Sequence, residues 1–234
     1  AAYEGQLWFN STSADYKTIV KVAGTWSTGG TLNTARGLMG AAGTQTAGLG
    51  FGGNTAPVTA NSEEYNGSAW AEGDNLNGAR SQLGGAGTQT AAVGFSGTPS
   101  PLAADSEEYN GSSWTEGNDM NTGRRNGAEA GTQTAAMAIT GGSPNVANVE
   151  HYNGTSWSEG ADVNTARFVL PGCGTNTAAI IAGGDPNVAS TESYDGSSWT
   201  EVSDLNTGRS DCGMAGSSAS ASFFGGSVGG TRQT

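Results

Sequence analysis

The sequence predicts an all-β fold, a five-bladed β-propeller with four antiparallel strands per blade. Three observations carry the prediction. Trp26, Trp70, Trp114, Trp157 and Trp199 recur 42–44 residues apart, and Arg36, Arg80, Arg124, Arg167 and Arg209 follow ten residues after each Trp. Gly supplies 40 of 234 residues while Leu, Ile, Val and Phe together supply 30. That composition leaves either a disordered chain or a fold packed on small side chains, and a repeat this regular excludes disorder. No 3.6-residue apolar periodicity appears, and units of about 40–50 residues built from short strands are blade-sized.

Each repeat divides into four strands. After the Arg comes a Gly/Ala-rich run (GLMGAA, SQLGGA), then a GTQT turn, then an apolar run that ends on Gly-Gly or close to it (LGFGG, VGFSG). A Pro-containing loop leads to a third run closing on Glu-Glu-Tyr, as at 63–65. Asn-Gly or Asp-Gly at 66–67, 110–111, 153–154 and 195–196 supplies a tight hairpin, since these residues tolerate positive φ. The Trp strand follows, and LNTGR leads into the next unit. Trp26, Trp70, Trp114, Trp157 and Trp199, with Tyr65, Tyr109, Tyr152 and Tyr194, are expected between blades as structural residues. Each buries on the order of 150–250 Å², roughly 4–6 kcal/mol before entropy is subtracted.

Gly-Gly ending a second strand, then Tyr, then Trp, then Arg opening the next unit resembles the kelch repeat, over about residues 17–230. The resemblance implies a propeller and leaves function open, because kelch-type propellers include enzymes and pure binders. The near-identical repeats are also similar to repeat proteins carried by marine bacteriophages, and GQLWFNSTSADYK at 5–17 is similar to segments of phage tail and virion proteins. This implies a virion or extracellular location. A single propeller domain is expected over 17–234, preceded by a segment, 1–16, that forms an extra strand or a docking element. Closure is expected through one composite blade. C-terminal strands at 210–216 and Ser222–Gly226 would pair with a third strand, Lys17–Val22, and a fourth around Trp26. Leu7–Asn10 competes for the second-strand place and would otherwise pack elsewhere or meet a partner.

The net charge of −12, with 2 Lys and 7 Arg, argues against a nucleic-acid binder held by phosphate neutralisation. No apolar run approaches 18 residues, which argues against membrane insertion. One His, His151, cannot assemble a His-rich metal site and is expected to be exposed. Cys173 and Cys212 fall out of register on adjacent inner strands, so two buried free thiols are expected. No metal and no cofactor are expected, and the domain is expected to be monomeric.

The Arg ring, with Asn33, Asn77, Asn121, Asn164 and Asn206 three residues before each Arg, is the candidate ligand site, since forked guanidinium donors suit an anion or sugar hydroxyls. The alternative is that each Arg ties its loop to carbonyls or to an acid such as Asp119, Asp162 or Asp204, and each Asn serves turn chemistry. The GTQT tips are polar hairpin ends that would otherwise touch a glycan. The outer-strand acids Glu63, Glu64, Glu107, Glu108, Glu150 and Glu192 are expected in solvent, where they discourage edge association. Glu129 and Asp211 break the repeat as acids on Gly/Ala inner strands, the kind of pair a glycoside hydrolase needs. The preferred reading is a non-enzymatic binding or structural module that meets a cell-surface glycan or a virion protein through repeated loops. A channel-centred glycosidase or lyase and an inert virion assembly element are the alternatives.

Overall fold

The computed structural model describes residues 7–10, 15–18, 28–99, 104–142, 144–229 and 231–232. Every helix or strand among them is a strand. A short hairpin pairs β1 (Leu7–Asn10) with β2 (Asp15–Thr18). Four antiparallel four-stranded sheets follow in chain order. Blade 1 holds β3 (Gly40–Thr44), β4 (Ala47–Phe51), β5 (Ser62–Tyr65) and β6 (Trp70–Glu72). Blade 2 holds β7 (Gly84–Thr88), β8 (Ala91–Phe95), β9 (Ser106–Tyr109) and β10 (Trp114–Glu116). Blade 3 holds β11 (Ala128–Thr132), β12 (Ala135–Gly141), β13 (Val146–Tyr152) and β14 (Trp157–Glu159). Blade 4 holds β15 (Gly172–Thr175), β16 (Ala178–Ala182), β17 (Thr191–Tyr194) and β18 (Trp199–Val202). The fifth repeat gives a three-stranded sheet of β19 (Ser210–Ser217), β20 (Ser220–Val228) and β21 (Thr231–Arg232). The inner strands β3, β7, β11, β15 and β19 stand side by side in that order, as in a propeller.

The described residues therefore form four complete blades rather than the expected five. The physical reason lies in the fifth repeat, which has no Glu-Glu-Tyr and no Trp after its Gly-Gly. The composite closure is also revised. Lys17 and Thr18, expected in the closing third strand, pair instead with Trp8 and Leu7 of β1. The place beside β20 is taken in part by β21, through Ser227↔Arg232 and Val228↔Thr231. Residues 19–22 and Trp26 lie outside the described residues.

Turn chemistry sets the strand registers. In the outer hairpins the Asn66 side chain accepts the N–H groups of Ser68 and Ala69, both at 3.0 Å, and Gly67 takes the left-handed conformation at φ +92°. Asn110, Asn153 and Asp195 accept in the same way. The sequence folds here because a short acceptor and a residue without Cβ stand next to each other.

Blades join by one face pattern. The Tyr and Trp of each blade lie on the sheet face that meets the preceding blade. Trp114 packs on Phe51 with ring centroids 4.9 Å apart, and Trp157 packs on Phe95 at the same separation. Tyr109, Tyr152 and Tyr194 stack on the Trp of their own hairpin. Trp114, Trp157 and Trp199 are buried, whereas Trp70 and Tyr65, on the outward face of blade 1, are half-buried. The Gln of the GTQT turn staples the same joint. Gln89 donates to the carbonyls of Gly48 (3.0 Å) and Tyr65 (2.8 Å), and Gln133 to those of Ala92 (3.2 Å) and Tyr109 (2.9 Å).

Candidate functional site

The loops that enter each blade carry the Asn and Arg of the repeat; the first four Arg side chains turn inward, while the Asn residues stay exposed and reach the same acids through their N–H groups. Arg36 meets Glu63 and Arg80 meets Glu107, each at 2.7 Å; Arg124 meets Glu150 at 3.2 Å and Arg167 meets Glu192 at 3.1 Å. All eight side chains are at most 3% exposed. The same carboxylates accept the backbone N–H of Asn33 (2.6 Å) and of Asn77, Asn121 and Asn164 (2.7 Å each). The Nδ2 groups of Asn77, Asn121 and Asn164 donate to those oxygens at 2.9, 3.0 and 2.8 Å. Each clamp thus fixes an inter-blade loop to the third strand of the blade it enters. Burial draws the Arg80, Arg124 and Arg167 pKa values downward, and the facing Glu opposes that shift.

Two expectations change at this point. Glu63, Glu107, Glu150 and Glu192 are not solvated, being 0–1% exposed, because the third strand is covered by its own loop and the neighbouring blade. The partners of the Arg residues are these glutamates; among the described residues Asp119, Asp162 and Asp204 form no ion pair with them. The four paired Arg residues present no exposed guanidinium ring. Arg209 and Asn206 differ, since Arg209 is half-buried and donates Nη1 to the Gly225 carbonyl at 3.1 Å.

The second acid of each doublet bridges blades. Glu64 accepts the Tyr109 hydroxyl and Glu108 accepts that of Tyr152, both at 2.6 Å. His151 fills the equivalent place in blade 3. It is half-buried rather than exposed, and its Nε2 lies 3.5 Å from the Tyr194 hydroxyl. Burial holds its pKa below the usual histidine value. A related change explains an orphan donor. Trp114 and Trp157 direct Nε1 at the hydroxyls of Ser62 and Ser106, both at 3.4 Å, but the corresponding residue for Trp199 is Val149, and the Trp199 Nε1 has no partner.

The inner strands converge on a cavity of about 310 Å³ to which all five repeats contribute. Five of its lining residues occupy one equivalent position, two after each Arg: Leu38, Gln82, Asn126, Val169 and Asp211. All five are left-handed, with φ between 52° and 58°, a costly conformation for non-glycine residues and most of all for β-branched Val169. A backbone relay holds them. Gln82 donates its N–H to the Leu38 carbonyl (2.7 Å), Asn126 to Gln82 (3.1 Å), Val169 to Asn126 (2.7 Å) and Asp211 to Val169 (3.2 Å). Each strained residue is therefore fixed by its neighbour, around one axis.

Glu129 and Asp211, the two acids that break the repeat, line this same cavity. Glu129 stands on β11, half-buried, and lines the cavity. Loss of solvation there pushes its pKa up to about 8, so it is a neutral hydrogen-bond donor at neutral pH. Gln82 and Asn126 add amides, and Leu38, Val169 and Met214 add apolar surface. Cys173 and Cys212 are unbridged, and Cys212, on the cavity wall, is half-buried rather than buried. No group of three or more His, Cys, Asp or Glu side chains gathers as a metal site among the described residues. Sequence reading found Glu129 and Asp211 by their departure from the repeat. It missed the other ring members, whose signal was a position that varies five times inside units that otherwise repeat. No protein-family model matches the chain, and no curated protein matches it.

Proposed function

We propose that this protein is a non-enzymatic binding module whose ligand enters the central cavity, with a glycan end as the ligand class. One observation carries the reading. A single strained position holds five different side chains, Leu38, Gln82, Asn126, Val169 and Asp211, while the clamps around it stay the same. Strain retained at a cavity rim marks a place where side-chain direction matters more than local stability. The set suits a polyhydroxylated group: carboxylate and amide acceptors, amide and neutral-acid donors, and apolar walls for the C–H face of a sugar ring. In this proposal the Arg and Asn residues are scaffold, and the five repeats close as one kelch-like ring. Display on a virion or another extracellular surface, which the resemblance of residues 5–17 implies, belongs to the same proposal.

The test is a glycan array probed with the intact protein, with calcium and with a chelator. A coherent set of hits that Gln82→Ala and Asp211→Ala abolish, without lowering the melting temperature, is the expected result. A blank array overturns the reading. A second reading is favoured by one specific pairing: a raised-pKa carboxyl, Glu129, shares a cavity with Asp211. Such a pair supplies an acid and a base to a glycosidase. Turnover of an array hit that Glu129→Gln removes while binding persists would establish it.

A further inference from the structure

Three departures from the repeat meet at the joint between blades 2 and 3. The second strand runs into glycine at Gly52, Gly183 and Gly225, all at positive φ, but blades 2 and 3 place Ser96 and Thr140 there, at φ 61° and 57°. Thr140 is the residue at the register shift between Ile139 and Gly141. Left-handed backbone costs a β-branched residue most, and the glycines of the other repeats avoid that cost. The third departure is Glu129, whose equivalents on the other inner strands are Ala41, Gly85, Gly172 and Met214. Ser96, Thr140 and Glu129 all line one void of about 10 Å³, together with Arg124. Glu129 also lines the central cavity, so it borders both spaces.

Two residues of this void hold a buried atom that has no hydrogen-bond partner among the described residues. Thr140 is fully buried and leaves Oγ1 unpaired; Arg124 is 2% exposed and leaves Nη1 unpaired. In blade 2 the equivalent Nη1 of Arg80 donates to the Asp105 carbonyl at 2.9 Å. Buried donors are rarely left unmatched, and a void of roughly this volume takes a single water where several polar groups surround it.

We propose that this void is the site of one internal water, which accepts from Arg124 Nη1 and hydrogen-bonds the Thr140 hydroxyl and the Glu129 carboxyl. Thr140 and Arg124 are then positioning residues, since through the water they hold Glu129 in one direction on the cavity wall. The strained hydroxyl at Thr140 is kept because glycine there would take a partner from the water. The site needs no ligand in the cavity, so it is independent of glycan binding.

The test uses the full chain without ligand. Magnetic relaxation dispersion of water oxygen counts long-lived internal waters, and carboxyl carbon NMR follows the titration of Glu129. Thr140→Val keeps the shape and removes the hydroxyl. It is expected to lose one long-lived water and to raise the Glu129 midpoint by roughly one pH unit, because the carboxylate loses a hydrogen bond. Thr140→Ser, the hydroxyl that blade 2 carries, should keep both the water and the midpoint. The titratable neighbours, Asp211 and Cys212 on the cavity and Arg124 on the void, are the same in every variant. A high-resolution crystal structure of the wild type should show the water within hydrogen-bonding distance of Arg124, Thr140 and Glu129, whatever the variants do. A dry void there, an unchanged midpoint in Thr140→Val, or a midpoint that follows chloride concentration, which would put an anion in the void, would overturn the proposal.

Discussion

Glu107 accepts from the backbone and side chain of Asn77 and from Arg80 in a site that water does not reach, so its removal strands a buried guanidinium. Breaking one partner of a buried pair costs about 3–5 kcal/mol, whereas replacing both by apolar groups costs far less. Glu107→Ala is therefore expected to lose several kcal/mol in urea unfolding, and Arg80→Met with Glu107→Leu to recover much of it. Equal losses for the single and double variants would remove the clamp as a buried ion pair. At Glu129 the sign of the pH dependence is fixed by a raised pKa. The folded state holds its proton up to about pH 8 while the unfolded chain releases it near 4.5. Its contribution to stability is full below about pH 4.5 and is lost as pH rises to about 8. Wild type should weaken against Glu129→Gln across that window, by on the order of 5 kcal/mol at most; parallel pH profiles would refute a neutral Glu129. The clamp was half legible in sequence. Its Arg and Asn stand out by recurrence, but Glu63, Glu107, Glu150 and Glu192 look like surface acids on a charged strand, since burial from above by a loop leaves no periodic mark. The distinguishing sign was that the first acid of each doublet is kept in four repeats while the second varies through Glu64, Glu108, His151 and Ser193.

At the level of strands, the hairpins and their order were legible because turn residues and the Trp spacing are local, one-dimensional signals. What was not legible is which faces meet, and there the repeats exchange volume. Phe51 of β4 lies over Gly94 of β8, where an added Cβ would come within 2.7 Å of the ring. One joint further on, Phe95 and Ala138 share a core cluster, and at the next Ile139 and Ile181 do. A large residue facing none gives way to two of middle size, so the joint keeps its packing while each strand drifts. Gly94→Ile should overpack the first joint by about 1–3 kcal/mol. Adding Phe51→Ile should restore at least half of that loss, since it rebuilds the Ile139/Ile181 arrangement. Additive losses in the double-mutant cycle would show that the two positions do not share a space.

The same exchange, followed around the molecule, bears on how the ring ends. After Ile139 and Ile181 comes Ala182 of β16, and at the Gly94-equivalent place in the fifth repeat stands Phe223, whose ring is 3.4 Å from a Cβ placed on Gly183. The large residue has now passed from one side of the joint to the other. The next member of the series is Phe224 of β20, 43% exposed, and the position it would face on blade 1 is Gly50, on the half-buried side that also holds Trp70. A Cβ on Gly50 would meet the flexible end of Met39, which stands where an incoming ring would displace it. Four joints exchange large for small in this way, and a fifth between Phe224 and Gly50 would repeat the complement that Phe51 and Gly94 make. Repeat architectures gain stability from nearest-neighbour interfaces, so closing the fifth joint adds a full interface where an open ring would leave two faces to solvent. The prediction is a coupling between residues far apart in sequence. Gly50→Ala and Phe224→Ala, measured singly and together by chemical denaturation, should show a non-additivity of about 1 kcal/mol or more. Strict additivity would mean that blade 1 and the fifth sheet never meet, and that the Trp70 face is covered by something other than β20.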